Sequence, residues 1–192
     1  GRRVVENDAI VRKGGWSRPP GRDIWRKTLG VVGLGRIGRG VAQRASGFEM
    51  KVLAYEPYPD KAFCEKWGVQ LVSLDELLER ADYVTLHAPG GADNKHLIGV
   101  EQLGRMKTTA FLVNTARGAL IDEDALYSAL TGGRLAGAGL DVREQEPPTD
   151  TRFNELSNVI LTAHVAGVTV ETCAAMTSMA SESIVQGWKG ET

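Results

Sequence analysis

The hexapeptide Gly33-Leu34-Gly35-Arg36-Ile37-Gly38 constrains this chain more than any other segment. It reads G-x-G-x-x-G and lies between a short β-branched run, Leu29–Val32, and an amphipathic stretch, Ile37–Ser46. At a strand-to-helix junction each glycine has a physical use. The first permits a tight turn, the second lets backbone approach a pyrophosphate, and the third lets the helix close on the strand. The phosphates then rest on the helix N-terminus, where free N–H groups and the helix dipole favour anions. Gly33, Gly35, Arg36, Ile37 and Gly38 are the candidate phosphate-binding residues, with Arg36 placed to add a charge-assisted contact.

The rest of the chain repeats the same alternation. Leu29–Val32, Lys51–Tyr55, Tyr83–His87, Thr109–Asn114, Leu135–Asp141 and Val159–Thr162 read as strands buried on both faces. Ile37–Ser46, Pro59–Trp67, the stretch from Ser73 to Arg80 and Asp122–Leu130 read as helices, with Gly47, Gly68 and Gly132–Gly133 closing three of them. Ser73 and Glu76 form an S-x-x-E capping box. Such alternation predicts an α/β fold, a Rossmann-type doubly wound parallel sheet with helices on both faces. Residues 28–168 form this body. Residues 1–27 hold a helix, Val4–Lys13, and a linker at Ser17–Asp23; residues 169–192 hold a C-terminal helix, Val170–Lys189, whose Met and Trp side chains read as packing residues.

Glu56 follows the second strand, 18 residues after Gly38, where an acid grips the adenosine ribose hydroxyls. A carboxylate there disfavours a 2′-phosphate, so NAD(H) is expected over NADP(H). Three further segments follow later strands: Asn114-Thr115-Ala116-Arg117-Gly118, Asp141–Pro148, and Thr162–Gly167. In open α/β sheets the ligand site lies outside the carboxyl ends of the strands, so Arg117, Asp141, Glu146 and His164 converge near the cofactor. The set suffices for ketone–alcohol interconversion. His164 gives or takes a proton near neutral pH, Glu146 favours its imidazolium and fixes the ring, and Arg117 holds a carboxylate with its planar fork.

Bulk properties narrow the partners. The net charge is −1, which argues against a nucleic-acid or membrane-surface protein. Residues 1–27 do carry eight basic and three acidic side chains; with Trp16 and Trp25 they raise base stacking as a minor alternative. Cys64 and Cys173 are far apart and in no C-x-x-C spacing, so neither a disulfide framework nor a metal site is expected, and reduced thiols fit a cytoplasmic protein. No apolar run reaches the roughly 20 residues of a membrane span.

The chain resembles the D-isomer-specific 2-hydroxyacid dehydrogenases, a family that includes phosphoglycerate dehydrogenase and glyoxylate/hydroxypyruvate reductase. The matching text is TLGVVGLGRIGRGV at Thr28–Val41, HAP at His87–Pro89 with HLI at His96–Ile98, VNTARGA at Val113–Ala119, Asp122–Leu130, GAGLDVREQEPP at Gly137–Pro148 and NVILTAHVAG at Asn158–Gly167. The resemblance implies a catalytic triad of Arg117, Glu146 and His164, and contact of Asp141 with the nicotinamide carboxamide. His87 and Pro89 would line the cofactor cleft, Thr115, Ala116 and Gly167 would complete it, and His96 would lie at the surface. Ala163 stands where the family usually has Pro, Gly90-Gly91 where it has Leu-Thr, Glu56 where Asp is commoner, and Arg26 where Gly is usual.

The implied activity is hydride transfer between NAD(H) and a small 2-hydroxy or 2-keto acid of the phosphoglycerate, glyoxylate or hydroxypyruvate type, in a homodimer. The expectation is that these residues are the nucleotide-binding domain, with most of the substrate domain lying elsewhere, so that alone they bind NAD(H) but turn over poorly. The alternative is an NAD(H)-sensing protein of the corepressor type, which keeps the same triad. A formate-dehydrogenase-like relative would carry Gln at the position of Glu146.

Overall fold

A computed structural model describes residues 1–189. In chain order the elements are α1 (Val4–Arg12), β1 (Thr28–Val32), α2 (Arg36–Ala45), β2 (Lys51–Tyr55), α3 (Lys61–Trp67), β3 (Gln70–Leu71), α4 (Leu74–Arg80), β4 (Tyr83–Leu86), α5 (Val100–Arg105), β5 (Phe111–Asn114), α6 (Glu123–Thr131), β6 (Gly137–Leu140), β7 (Val159–Leu161) and α7 (Val170–Lys189). The strands form one sheet in the order β3-β2-β1-β4-β5-β6-β7, with every pairing parallel. Strand order reverses between β1 and β4, which opens a crevice at the carboxyl ends of those two strands.

The two-residue period of the strands divides the core. Leu29, Val31, Val52 and Ala54 pack with Ala42 and Ala45 of α2 and Cys64 of α3. Val32, Leu53, Val84, Leu86 and Leu112 face the other way, onto Leu77 and Leu78 of α4, Leu103 of α5 and Leu126 and Leu130 of α6. Each fully buried Leu or Val contributes about 1.5–3 kcal/mol relative to exposure. A Cβ at Gly30 would run into Leu77 and Ala81, so α4 sits directly over β1.

Helix ends follow local chemistry. Ser73 Oγ accepts the Glu76 N–H (3.2 Å) and Asp122 Oδ1 accepts the N–H groups of Asp124 and Ala125 (3.0 and 3.1 Å). Helix α3 begins at Lys61, not Pro59, because Asp60 caps it through the Phe63 N–H (3.0 Å). Gly68 and Gly133 take left-handed φ values of 63° and 67°. Gly47 does not cap: α2 runs into a 3-10 turn, Ser46–Phe48, and Glu49 takes the left-handed position instead (φ 52°).

Other departures from the sequence reading lie at edges. The short strand β3 and helix α5 carry too little periodicity to be read from sequence. Strand β7 is the sheet edge and is only half-buried, so it is not covered on both faces. No side chain of α1 is buried, and Met176, Met179 and Trp188 of α7 are exposed, so they are not buried against the described residues. No described helix is long and apolar enough to cross a membrane.

Candidate active site

The glycine turn is built as its spacing predicts. Gly33 adopts φ +92°, and a Cβ there would fall 2.6 Å from both the Ala88 nitrogen and the His87 carbonyl carbon. The turn is thus pressed onto the chain leaving β4. A Cβ on Gly38 would collide with the Gly33 carbonyl, so the first turn of α2 lies on the end of β1. Gly35 differs: it has ordinary negative φ (−70°) and open space where a side chain would project. Only this middle glycine leaves its backbone open to a ligand.

Glu56 stands beside the turn. Its Oε2 accepts the Leu34 N–H (2.8 Å) and its Oε1 the Tyr58 N–H (3.0 Å). The carboxylate is locked at the end of β2, where a ribose would lie. Arg39, which no motif singled out, holds the turn from behind, with Nε on the Leu34 carbonyl (3.1 Å) and Nη1 on Asp60 (2.7 Å). Arg36 and Ile37 are exposed, and Arg36 has no ion-pair partner among the described residues. An open backbone cradle at a helix N-terminus, flanked by a fixed carboxylate, fits a dinucleotide.

Beyond β4, the half-buried His87 ring shares a hydrogen bond with Thr85 Oγ1 (3.0 Å). Burial pushes its imidazole below the ordinary value, which favours the neutral ring and a lining role. Pro89 is exposed nearby. After β5, the buried Asn114 shapes the Thr115–Arg117 loop: its amide accepts the Ala116 N–H (3.0 Å) and donates to the Arg117 carbonyl (2.9 Å). Thr115 and Arg117 are exposed and Ala116 is half-buried. Arg117 turns back on its own loop, with Nη1 2.6 Å from the Ala116 carbonyl. Its stem passes Gly90, where a Cβ would stand 3.2 Å from Arg117 Cγ. Gly90 therefore makes room for this arginine, whereas Gly91 has open space around it and a positive φ of 132°.

Asp141 organises the far side. Its backbone carbonyl accepts the His164 N–H (2.7 Å). Its carboxylate accepts the Thr162 hydroxyl (2.5 Å) and the N–H groups of Val165 and Ala166 (2.8 and 2.9 Å). Burial pushes this carboxyl up, but those hydrogen bonds outweigh it and hold it below the ordinary range. The clamp fixes His164 in a left-handed conformation (φ 54°), sparsely populated for non-glycine residues although histidine tolerates it better than most. Gly167 is exposed just beyond.

His164 Nδ1 lies 2.8 Å from Glu146 Oε2, and Glu146 Oε1 accepts the Arg143 N–H (3.0 Å). The hydrogen bond from His164, then that from Arg143, holds the Glu146 carboxyl below its usual value. The imidazole is half exposed. Arg117 makes no hydrogen bond or ion pair with Glu146 or His164 among the described residues, although all three follow the ends of neighbouring strands. His96 lies at the surface, partly exposed, with Nε2 3.2 Å from Glu144 Oε1. No described group of three or more His, Cys, Asp or Glu side chains could hold a metal ion.

Residues 1–166 match the family model described as D-isomer specific 2-hydroxyacid dehydrogenase, NAD binding domain. The chain is 48% identical to a glyoxylate reductase of Korarchaeum cryptofilum over 99% of its own length and 59% of the relative's. It is 44% identical to a D-3-phosphoglycerate dehydrogenase of Methanocaldococcus jannaschii, covering 99% of this chain and 37% of that one. Among solved structures it resembles D-lactate dehydrogenase from Aquifex aeolicus complexed with NAD and lactic acid, with TM-score 0.92, 34% identity, 99% of this chain covered and 62% of that one. The chain thus spans less than two thirds of the length of these relatives. The dinucleotide cradle at Gly35 and the family match agree: this chain belongs to the D-isomer specific 2-hydroxyacid dehydrogenases, as their NAD-binding domain.

Proposed function

We propose that the protein bearing this domain is an oxidoreductase that interconverts a small 2-keto acid and its 2-hydroxy acid, of the glyoxylate, hydroxypyruvate or phosphoglycerate type. The observation that carries this function is the 2.8 Å hydrogen bond between Glu146 and a half-exposed His164 at the carboxyl edge of the sheet. When bound, NAD(H) would supply the hydride chemistry at the carbonyl carbon, in either direction. The Gly33–Gly38 turn and Glu56 hold the dinucleotide, with His87, Pro89, Thr115, Ala116, Asp141 and Gly167 around it. His164 gives the carbonyl oxygen its proton on reduction and takes it back on oxidation. Glu146 keeps the ring oriented through the hydrogen bond to Nδ1. Arg117 lies on an exposed loop from which its fork reaches a substrate carboxylate and polarises the carbonyl.

We further read residues 28–168 as the dinucleotide-binding body, and 1–27 with 169–192 as segments that connect it to a substrate domain. The buried core runs from Leu29 to Phe153, and α1 buries no side chain, in support. Exposed Val4, Val5, Val11 and Trp16 suit a homodimer contact, and two free cysteines suit a cytoplasmic setting. The direct test follows NADH absorbance with glyoxylate, hydroxypyruvate and phosphohydroxypyruvate on the purified protein that carries this domain together with its substrate domain. Saturable oxidation of NADH by one of them is expected. NADH binding without turnover of any would overturn the assignment.

A further inference from the structure

Arg143 lies in the loop after β6, and its side chain leaves that loop. The guanidinium grips Glu123, the first residue of α6, through two parallel hydrogen bonds: Nε to Oε1 at 2.9 Å and Nη2 to Oε2 at 2.8 Å. Arg143 is buried and Glu123 largely so, at 7% and 15% side-chain exposure. Glu123 Oε1 also accepts the Glu144 N–H (2.8 Å), and the guanidinium lies over the ring of fully buried Phe153, 4.7 Å from its centre. Moving Arg143 would strip a buried charge of its partner, which is strongly unfavourable. The loop is therefore pinned to α6 at this residue.

The backbone of the same residue reaches the site. The Arg143 N–H donates to Glu146 Oε1, leaving Oε2 for His164 Nδ1. On the other side, a Cβ on Gly118 would overlap the Arg143 carbonyl, so the same peptide also abuts the chain next to Arg117. An ion pair that merely added stability would have no such link to Glu146.

We propose that Arg143, anchored by Glu123, is the positioning residue that sets the geometry of the Glu146–His164 pair. This rests on the acid–base role given above to His164. Loss of the anchor should leave the cofactor cradle alone, because the glycine turn is held separately by Glu56 and Arg39. It should let the Glu146 carboxylate drift, and small displacements of reacting groups cost about 10- to 100-fold in rate.

The test is the apolar double variant Glu123→Leu/Arg143→Met. Replacing a buried pair by apolar groups of similar size is often tolerated. Three readouts apply: NADH affinity by fluorescence, the titration midpoint of the Glu146 carboxyl by carbon NMR, and kcat against KM for reduction of a 2-keto acid. The expected result is NADH affinity within about twofold of wild type, a Glu146 midpoint raised toward the ordinary range, and kcat lower by about tenfold or more with little change in KM. Arg143→Lys keeps the charge but not the two-pronged grip, and should fall between the two. If the double variant does not fold, Glu123→Gln, which keeps the shape and one acceptor oxygen, carries the same readouts. A wild-type Glu146 midpoint with wild-type kcat would overturn the proposal. If the wild-type protein reduces no 2-keto acid, the proposed function fails, while the Glu146 midpoint still decides the positioning role.

Discussion

Glu146 uses one oxygen for each of its neighbours: Oε2 lies 2.8 Å from His164 Nδ1 and Oε1 3.0 Å from the Arg143 nitrogen. A carboxylate held at both oxygens cannot rotate freely, so it fixes the imidazole that it touches. With Nδ1 engaged, Nε2 is the ring nitrogen left for proton exchange. Asp141 supplies the other half of this restraint through the backbone on either side of the ring. Orientation thus comes from two separate acids, one acting on the side chain and one on the main chain.

Removing the proton donor should therefore be far more damaging than removing its support. His164→Ala should lower kcat by about 10²–10⁴, the usual worth of a general acid–base, with NADH affinity almost unchanged. Glu146→Gln keeps a hydrogen-bonding oxygen but not the charge, and should lose less. Steady-state kinetics beside fluorescence titration of NADH checks both. Undiminished turnover in His164→Ala would place the proton donor elsewhere.

The Glu123–Arg143 pair should also appear in acid stability. Burial raises the Glu123 carboxyl, but hydrogen bonds from Arg143 and the Glu144 N–H, with the charge of Arg143, bring it below the ordinary value. A folded-state value below the unfolded one gives stability that is fully present above the ordinary carboxylate range and is lost as pH falls through the depressed value. Glu123→Gln should lower Tm at pH 7, with a loss of about 1–3 kcal/mol. The gap to wild type should then narrow steadily below about pH 4.5. Melting curves from pH 7 to pH 3 test this; a constant gap would mean that the charge is not what Glu123 contributes.

What the sequence made legible follows from how local each signal is. The glycine triplet, the strand–helix alternation and the Ser73 cap depend on neighbours a few residues away, and they lie where the pattern put them; Asp122, read as the first residue of its helix, instead caps it. Glu56, Arg117, Asp141, Glu146 and His164 all follow strand ends, because strand ends in a parallel sheet share one edge, but the strand pattern alone does not show that Arg117 stands apart from the Glu146–His164 pair. What escaped was long-range or short. Arg143 and Glu123 are 20 residues apart, and nothing distinguishes Glu123 from the other acids in the first turn of α6. Arg39 looks like any exposed helix cation until Asp60 is seen beside it. Strand β3 has two residues, too few to show a period. Gly47 failed as a cap because Glu49 accepted the left-handed conformation two residues later.

Glu56 should control the choice of nucleotide. Its carboxylate is already held by two backbone N–H groups, so it meets a ribose without further ordering. A hydrogen bond to a charged group contributes about 1.5–3 kcal/mol. Glu56→Ala should thus weaken NADH by about 10- to 100-fold and weaken NADPH less, since the 2′-phosphate no longer meets a negative charge. An unchanged ratio of the two affinities would show that Glu56 does not read the ribose.

Gly35 and Gly38 belong to one motif but should answer alanine substitution in opposite ways. Gly38 has no room: the new Cβ meets the Gly33 carbonyl, and backbone must move. Overpacking of this kind costs about 1–3 kcal/mol, so Gly38→Ala should lower Tm by roughly 3–10 °C. Gly35 has open space and a φ that alanine adopts without strain. There the substitution reduces only the freedom of the unfolded chain, so Tm should hold or rise by the equivalent of about 0.4–1 kcal/mol. The added methyl group would nonetheless occupy the space through which a pyrophosphate approaches the backbone. Gly35→Ala should therefore weaken NADH by about tenfold or more with no loss of stability. Paired measurement of Tm and NADH affinity separates the two glycines, and an unaltered NADH affinity in Gly35→Ala would mean that the phosphates lie elsewhere.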